Sequence, residues 1–348
     1  MSEVEFKQQR FTREPYESVL DCLLRHGQAL PHACKAGMCQ ACLVRAEACE
    51  ATAESQKWIK PELRARGYTL ACQWVPAGDV AAALPDIEEF SVPVRIISLQ
   101  ALSTQILRLR LEPEEPRRMF TYQPGQYLSL SNPDGITRNY SIANDYDRDG
   151  YLELHISRTL HGLFTAWLFN QAAPGQRLYM RGPAGESCYR TPDHDDSPLL
   201  LAGTGAGLAP LYALANAALA DDHRGPIHLC HGGRGPEHLY YTAELQQLAA
   251  RHDNFHYHRC VIDAPADDDY HRGQLEHCVD ALLDAQHKRT NPARILAWLS
   301  GAPTYVYAQR KRLYLRGLRA ANIHCDPFTE RQIAHNTATP SLEPTSPI

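Results

Sequence analysis

The 348-residue sequence lacks several features that would each place it in a specialised class of protein. It has no apolar run long enough to cross a bilayer, so we expect no membrane insertion. Its first ten residues, MSEVEFKQQR, contain no apolar signal core, and this absence predicts a cytoplasmic protein. The formal net charge of −5 shows no excess of positive charge and argues against a broad nucleic-acid surface. We expect a soluble, monomeric chain, long enough for two or three domains.

A disulfide framework is also not expected, because the eleven cysteines are odd in number and the predicted compartment is reducing. Four thiols occur in apolar or strand-like contexts, namely Cys188, Cys230, Cys260 and Cys278. A free cysteine packs as a small hydrophobic residue, so we predict that these four are simply buried. The seventeen histidines show no metal-binding pattern in their spacing.

Composition divides the chain into three blocks and a tail. Residues 1–86 contain a tight group of cysteines. Residues 92–190 contain short alternating runs separated by Pro, Gly, Asn and Asp, which predicts an all-β barrel or sandwich, with one helix near 163–170. Residues 198–330 alternate strand-like and helical segments, which predicts βαβ units and a parallel sheet. Residues 331–348 are rich in Pro, Ser and Thr and are predicted to be disordered.

The cysteine group has the spacing Cys34-x4-Cys39-x2-Cys42, and Cys72 follows after 29 intervening residues. Zinc sites favour separated pairs of cysteines, and a thioredoxin-type pair would leave two of these thiols unexplained. Four thiolates at this spacing are typical of a plant-type [2Fe–2S] cluster. Small residues between them, including Gly37, let the backbone approach a cluster closely. We predict the four cysteines as cluster ligands, with a zinc knuckle as the alternative.

Around these cysteines, residues 1–86 resemble a plant-type ferredoxin domain of β-grasp fold. The segments SVLDCLLRHGQALPHACKAGMCQACLVRA and LACQWVPAGDV are similar to the helix, the cluster-binding loop and the last-ligand strand of that family. We call residues 32–42 the cluster loop. Gln40 in this loop occupies a position at which the family commonly has glycine. We therefore expect its hydrogen bonding to differ from that of the family.

The second block contains the sequence RNYSIAN, in which strand alternation places Arg138 and Tyr140 on one face. Arg138 is suited to bind a phosphate bidentately, Tyr140 to pack along a flavin, and the Ser141 hydroxyl to approach the flavin N5. Gly162 and Thr165 lie at a predicted helix N-terminus, whose free N–H groups can bind pyrophosphate. In isolation, the same pattern also fits a strand arginine beside a packed tyrosine.

The third block begins with LLLAGTGAGLAPLYAL, which predicts a strand, a glycine-rich turn and a helix. Gly203, Gly205 and Gly207 let backbone amides approach a pyrophosphate at the helix N-terminus. The spacing matches neither the Rossmann fingerprint nor a P-loop. On this motif alone, a glycine-rich bend without a ligand remains the alternative.

The ordered set Pro-Gly-Gln, Arg-x-Tyr-Ser, Gly-x-x-Thr and RGPAG resembles the pattern of the ferredoxin–NADP reductase superfamily, and the resemblance covers residues 92–330. It implies a six-stranded Greek-key barrel that binds FAD, followed by an NAD(P)-binding α/β domain. The N-terminal place of the ferredoxin block favours FAD over FMN. The resemblance implies five FAD-binding residues: Arg138, Tyr140, Ser141, Gly162 and Thr165.

The same resemblance implies further residues near the nicotinamide nucleotide. GTGAGLAPL is similar to the nucleotide-binding turn of the superfamily and adds Pro210 to the three glycines. LSGAPTYVYAQ is similar to its Cys-Gly-Pro-Pro segment, with Ser300 in place of the cysteine beside the nicotinamide. Phe328 is expected near the flavin, or else in the ordinary core. Near the second strand–helix junction, the basic Arg234 favours NADPH and the acidic Glu237 favours NADH, so these two residues do not decide between the donors. The resemblance to reductases of bacterial aromatic-ring oxygenases favours NADH.

The three blocks make chemical sense together, because NAD(P)H gives two electrons at once, a [2Fe–2S] cluster holds one, and FAD handles both. We predict an oxidoreductase that passes electrons from NAD(P)H through FAD and the cluster to a redox protein, with Ser141 and Ser300 at the reacting centre. By resemblance, the acceptor is the oxygenase component of a multicomponent system. A quinone, a dehydratase or a sugar-deoxygenation partner is the alternative acceptor. A non-enzymatic zinc- and nucleotide-binding module is the third hypothesis.

Overall fold

The described residues form three sheets, one in each of the three blocks. The computed structural model describes residues 2–28, 30–32, 35–37, 40–47, 49–85, 91–115, 121–160, 162–185, 187–189, 196–263, 270–287 and 291–328.

The first block is a small mixed sheet with a helix packed across it. Its strands are β1 Ser2–Phe6, β2 Gln9–Arg13, β3 Leu43–Glu47, β4 Tyr68–Leu70 and β5 Val80–Ala83, and its helices are α1 Val19–Arg25, α2 Ala53–Gln56 and α3 Pro61–Ala65. The strand order is β2-β1-β5-β3-β4, with β1 and β5 parallel and the other neighbours antiparallel. Ser18 caps α1, since its hydroxyl accepts the Asp21 N–H at 3.0 Å. Leu20 and Leu23 of α1 pack with Trp74 in one buried core.

The second block closes into an antiparallel barrel. Its strands are β6 Val92–Ala101, β7 Ile106–Pro113, β8 Tyr127–Ser131, β9 Thr137–Ser141, β10 Leu152–Ser157 and β11 Arg177–Ala184, and its helices are α4 Tyr146–Asp149 and α5 Leu163–Asn170. The order is β10-β7-β6-β11-β8-β9, and a bridge between Ile142 and Leu154 brings the two edges together. Phe164 and Leu168 of α5 pack into the barrel core. The helix predicted near 163–170 is confirmed.

The third block is a six-stranded parallel sheet with helices between its strands. The strands are β12 Leu199–Thr204, β13 Ile227–Gly233, β14 Phe255–Val261, β15 His271–Arg272, β16 Leu296–Gly301 and β17 Ile323–Pro327, and the helices are α6 Leu208–Ala220, α7 Thr242–Arg251, α8 Leu275–His287 and α9 Pro303–Leu315. The order is β15-β14-β13-β12-β16-β17. From β12 the sheet extends first to β13 and later to β16, so a topological switch point lies between β12 and β16. Ligands of such sheets bind at the carboxyl ends of strands at this point.

The four thiols predicted to be buried are buried. Cys230, Cys260 and Cys278 belong to the core cluster beneath one face of the parallel sheet. Burial raises the pKa of Cys230 well above its ordinary value, which keeps that thiol protonated and inert.

The predicted β-grasp, barrel and parallel-sheet architectures are confirmed. The predicted connecting segments include residues 86–90 and 190–195, which lie outside the described residues, as does the tail at 331–348. The exact domain limits therefore stay predictions. In the part of the chain that the structure describes, none of the helices combines the length and the apolarity that a bilayer span requires.

Candidate functional site

Two of the four predicted cluster ligands lie at the same end of the antiparallel pair formed by β3 and β4. Cys42 directly precedes β3, and Cys72 follows β4 by two residues. Between them, the Ala71 N–H donates to the Cys42 carbonyl at 3.0 Å. Cys42 is buried and Cys72 is half-buried. Cys34 and Cys39, the other two predicted ligands, lie outside the described residues.

The cluster loop follows a tightly curled path in its described part. The φ angles are +52° at Lys35, +80° at Gly37 and +52° at Gln40, all in the left-handed region. A Cβ on Gly37 would lie 3.0 Å from Gln73 Cγ and 3.2 Å from Trp58 Cδ1. Glycine at position 37 is therefore required by its backbone conformation and by its neighbours together.

Gln73 joins this loop to the last predicted ligand. Its Nε2 donates to the Lys35 carbonyl at 2.9 Å and lies within hydrogen-bond distance of Cys72, at 3.2 Å from the carbonyl and 3.6 Å from Sγ. Hydrogen bonds to ligand sulfurs are among the features that set the potential of an iron–sulfur cluster. The two described thiols, the curled loop and this amide fit a [2Fe–2S] cluster.

The predicted flavin-binding residues of β9 lie on the strand as expected. Arg138 and Tyr140 alternate along β9 and are both half-buried. The Tyr140 ring lies 5.5 Å from the Phe164 ring of α5, measured between centroids, and burial raises the pKa of Tyr140. This contact brings the beginning of α5 beside β9. The Arg138 guanidinium and the α5 N-terminus each suit a ligand with phosphate groups, which FAD carries.

The N-terminus of α5 is built by Gly162 and Thr165. Gly162 is the N-cap, and no side chain caps the helix. The Thr165 hydroxyl contacts the carbonyls of Gly162 at 3.1 Å and Thr159 at 3.3 Å. A Cβ on Gly162 would lie 2.6 Å from that hydroxyl. The predicted helix start is present, and the Thr165 side chain serves to shape the turn that precedes it.

The two predicted catalytic serines meet at a residue that the sequence did not single out. Ser141 Oγ of the barrel donates to Asp326 Oδ2 of the parallel-sheet block at 3.0 Å. Ser300 Oγ, at the end of β16, donates to the Asp326 main-chain carbonyl at 3.4 Å. Two residues beyond Asp326, the Phe328 N–H donates to the Gly301 carbonyl at 2.8 Å. The Phe328 ring packs on the core of the parallel-sheet block.

Asp326 is a carboxyl group with an unusual environment. Burial raises its pKa to about 6, and the hydrogen bond from Ser141 offsets this rise only in part. A half-buried carboxyl group with a pKa raised to about 6, between two serines from different blocks, marks a functional-site candidate. In the sequence, Asp326 is visible only as an acidic residue within the segment HCDPF, residues 324–328. Its spacing from other residues does not distinguish it from a surface aspartate.

The glycine-rich turn packs directly against the end of β16. Residues 205–207 form a short 3₁₀ turn that continues into α6, and Pro210 lies in the first turn of that helix. A Cβ on Gly203 would lie 2.8 Å from the Ser300 carbonyl oxygen, and one on Gly207 would lie 2.6 Å from the same atom. No side chain caps α6 at Gly207. The turn therefore places the uncapped α6 N-terminus at the switch point, where a nucleotide phosphate fits.

We expect the substitution Gly207→Ala to raise the KM for NADH by about tenfold, which corresponds to about 1.4 kcal/mol of lost binding. The new methyl group would overlap the backbone at Ser300, so the turn has to move away from β16. Steady-state kinetics measure the KM, and FAD content is expected to stay unchanged. Gly78→Ala is the matched control, because nothing lies within 4 Å of its added Cβ. An unchanged KM would show that the close approach of Gly207 does not shape the nucleotide site.

A buried polar network connects the barrel to the parallel-sheet block. Glu153 of β10 accepts hydrogen bonds from Arg110 at 2.7 Å and from the Tyr241 hydroxyl, and it contacts His155 at 3.0 Å. His155 in turn contacts the Tyr240 hydroxyl at 3.1 Å. Burial alone would raise the pKa of Glu153, but the hydrogen bonds outweigh it and lower the pKa to about 2. The carboxylate therefore stays charged and holds the two tyrosines that precede α7 against the barrel.

Comparison with known proteins assigns a family to each block. Residues 3–77 match the 2Fe-2S iron-sulfur cluster binding domain, residues 93–189 the oxidoreductase FAD-binding domain, and residues 201–310 the oxidoreductase NAD-binding domain. The reductase subunit of an aromatic O-demethylase from an Amycolatopsis strain is 32% identical over 327 residues, which cover 91% of this chain and 95% of that protein.

Two further relatives belong to different enzyme systems, one to a dioxygenase and the other to a sugar dehydrase. The ferredoxin–NAD(P)(+) reductase component of a naphthalene 1,2-dioxygenase system from Pseudomonas putida is 28% identical, over 89% of this chain and 93% of that protein. The CDP-6-deoxy-L-threo-D-glycero-4-hexulose-3-dehydrase reductase of Yersinia pestis is 27% identical, over 71% and 75%. Among solved structures, the Amycolatopsis cytochrome P450 reductase GcoB is similar, with a TM-score of 0.65, 30% identity, and coverage of 95% of this chain and 99% of that one.

The chain belongs to the family of ferredoxin–NAD(P)+ reductases that carry an N-terminal 2Fe-2S domain. It is an NAD(P)H-dependent oxidoreductase whose cofactors are FAD and a [2Fe–2S] cluster, and it transfers electrons from NAD(P)H through both.

Proposed function

We propose that this protein is the reductase component of a multicomponent oxygenase, and that NADH is its electron donor. The observation that carries the proposal is full-length similarity: relatives that are reductases of a demethylase and a dioxygenase system match over 95% and 93% of their length. The similarity therefore includes the iron–sulfur block, from which electrons leave the protein.

The geometry of the described residues and the family membership support a set of proposed site residues. The proposed ligands of the cluster are Cys34, Cys39, Cys42 and Cys72. The proposed FAD-binding residues are Arg138, Tyr140, Ser141, Gly162, Thr165 and Phe328. Thr165 acts by shaping the turn that precedes α5. The proposed nucleotide-binding residues are Gly203, Gly205, Gly207 and Pro210. Ser141 and Ser300 are proposed to act at the reacting centre, together with Asp326.

The role of this chain at the reacting centre is to orient two ligands and to hold a proton. FAD, when bound, accepts electrons in a pair and releases them one at a time. The α6 N-terminus binds the nucleotide phosphates, and Ser300 at the end of β16 orients the nicotinamide end. Asp326 carries a proton on its carboxyl group below about pH 6, and it passes this proton to Ser141 Oγ, 3.0 Å away, as the Ser141 hydroxyl releases its own proton to the bound ligand. Ser141 is buried and Asp326 is half-buried, which limits the access of water to that proton.

The preference for NADH is supported by the surroundings of Arg234. An NADP-specific site needs a cation that is available to the 2′-phosphate. Arg234, which follows β13, pairs with Asp263 at 3.2 Å. A carboxylate in this place repels the additional phosphate of NADPH. The ratio of kcat/KM for NADH to that for NADPH tests this part of the proposal, and a ratio below one contradicts it.

A dehydratase is the second candidate acceptor, because the Yersinia pestis relative is a reductase of a sugar dehydrase. The match to that relative covers less of both chains than the matches to the oxygenase reductases do. The monomeric state and the cytoplasmic location expected from the sequence stay predictions.

The acceptor is tested by reconstitution with components from the same genome. With a candidate oxygenase component from the same source organism, NADH consumption is expected to depend on the oxygenase substrate and to yield oxidised product in proportion. The same assay with the dehydratase encoded in that genome is the control. Product formation only with the dehydratase would replace the oxygenase proposal by the alternative one.

A further inference from the structure

The cluster loop contacts the flavin barrel through Gln40. Arg181 Nη2 on β11 donates to the Gln40 main-chain carbonyl at 2.6 Å, across 141 residues of sequence. Because the guanidinium is charged, this hydrogen bond is stronger than one between neutral groups. Gln40 lies between the predicted ligands Cys39 and Cys42. The barrel therefore contacts the chain within the ligand-bearing segment itself.

The conformation of Gln40 explains how this contact arises. Its φ of +52° is the left-handed geometry that a glycine adopts more readily. Its side-chain Nε2 donates to the Trp58 carbonyl at 2.8 Å. Its own carbonyl accepts the Leu43 N–H at 3.3 Å as well as the Arg181 guanidinium. The side chain thus fixes Gln40 to the iron–sulfur block, while the main-chain carbonyl fixes it to the barrel.

The place of Arg181 in the barrel makes this contact relevant to the flavin. Arg181 lies on β11, and its register partner is Ser129 on β8. The next strand of the barrel, β9, carries Arg138, Tyr140 and Ser141. Arg181 is half-buried, so its guanidinium has less freedom to move than a fully exposed one.

We propose that Arg181 is a positioning residue for electron transfer from FAD to the [2Fe–2S] cluster: its guanidinium holds the Gln40 carbonyl, and with it the cluster loop, on the barrel. The inference rests on internal transfer between the two cofactors of this chain and not on the identity of the external acceptor. It therefore fails or succeeds independently of the oxygenase proposal.

The test uses the FAD- and cluster-loaded protein with the substitution Arg181→Met, which removes the donor and the charge but keeps most of the aliphatic length. In rapid mixing with NADH, flavin reduction is expected to stay within twofold of the unmodified protein. Reduction of the cluster, followed at its own absorption band, is expected to slow by about tenfold or more, because the loop loses the contact that holds it on the barrel and electron transfer slows as the distance between two cofactors grows. Arg181→Lys is expected to restore part of the rate.

A second readout does not depend on electron transfer. In hydrogen–deuterium exchange of the loaded protein, amides of segment 40–47 are expected to exchange faster in Arg181→Met, because the loop has lost its contact with the barrel. The matched control is Arg177→Met, on the same strand, whose guanidinium pairs with Glu114 at 2.6 Å. That control is expected to change neither rate nor exchange.

Three outcomes would overturn the proposal. The first is cluster reduction in Arg181→Met within twofold of the unmodified protein. The second is loss of FAD from that variant, since Arg181 would then be a flavin ligand. The third is equal slowing in Arg177→Met, since the effect would then come from the strand and not from the contact. Should Arg181→Met fail to fold, Arg181→Gln removes the charge conservatively, and the same rate and exchange criteria apply to it.

Discussion

Substitution of Cys72 by alanine is expected to abolish electron transfer to a one-electron protein acceptor such as cytochrome c, while NADH-driven reduction of ferricyanide by the flavin persists. The thiolate is one of four proposed cluster ligands, and a cluster that has lost a ligand is not retained. Cys72 lies beside Cys42 at one end of the antiparallel β3–β4 pair, and it is not one of the residues proposed to bind FAD. Iron and sulfide content, the visible spectrum and the two reductase assays measure the outcome.

The matched control for this substitution is Cys49→Ser. Cys49 is a half-buried thiol of the same block, and its Sγ donates to the Ala81 carbonyl at 3.6 Å. The control is expected to keep its iron and both activities. A Cys72→Ala variant with full iron content and full cytochrome c reduction would show that Cys72 is not a ligand. Loss of ferricyanide reduction from a variant that still holds FAD would contradict a linear path from flavin to cluster.

The second large effect is expected from Asp326→Asn. The amide preserves the shape of the side chain but cannot exchange a proton with Ser141, whose hydroxyl donates to the carboxylate. We expect kcat for NADH oxidation to fall by about 100-fold, the lower end of the usual range for a lost acid–base group. The inflection near pH 6 in the profile of the unmodified protein is expected to disappear as well.

The same substitution is expected to stabilise the fold at neutral and alkaline pH. The pKa of Asp326 is about 6 in the folded chain, against an ordinary value of 3.8. Ionisation is therefore easier in the unfolded chain, so the carboxyl group destabilises the fold as the pH rises from 3.8 and does so fully above about 6. At 1.36 kcal/mol per pKa unit, the penalty approaches about 3 kcal/mol. Asp326→Asn removes it at pH 8 and makes little difference at pH 4.

The midpoint of thermal unfolding, measured at both pH values with FAD at a fixed concentration, checks this expectation. Asp134→Asn is the control, because Asp134 is an exposed carboxylate whose contact is a hydrogen bond from Asn132 at 3.2 Å. Its unfolding midpoint is expected to stay unchanged. If Asp326→Asn lowered the midpoint at pH 8, the Asp326 carboxylate would stabilise the fold there, and the buried-proton explanation would be wrong.

The local motifs were predictable because each needs particular residue types at short spacing. Ligand chemistry demands thiolates close together, which the intervals from Cys34 to Cys42 show directly. Close packing demands glycine, and the structure confirms that a Cβ at Gly207 would overlap the backbone at Ser300. The helix start at Gly162 was equally visible. The use of Thr165 within its own turn was not, because a hydroxyl has several possible partners and spacing does not choose among them.

The sequence by itself determined the order of a cysteine-rich block, an all-β block and an α/β block, because alternation, helical spacing and ligand spacing are local properties of the chain. The β-grasp and barrel folds, FAD and the nicotinamide nucleotide were implied by the resemblance of its motifs to known families. The tertiary structure decided which residues of different blocks meet. The partner of Ser141 is Asp326, 185 residues away, and the partner of Gln40 is Arg181, 141 residues away. The physical reason is that such contacts depend on how whole sheets pack, and packing also sets the burial that raises the pKa of Asp326. No short segment of the sequence contains that information.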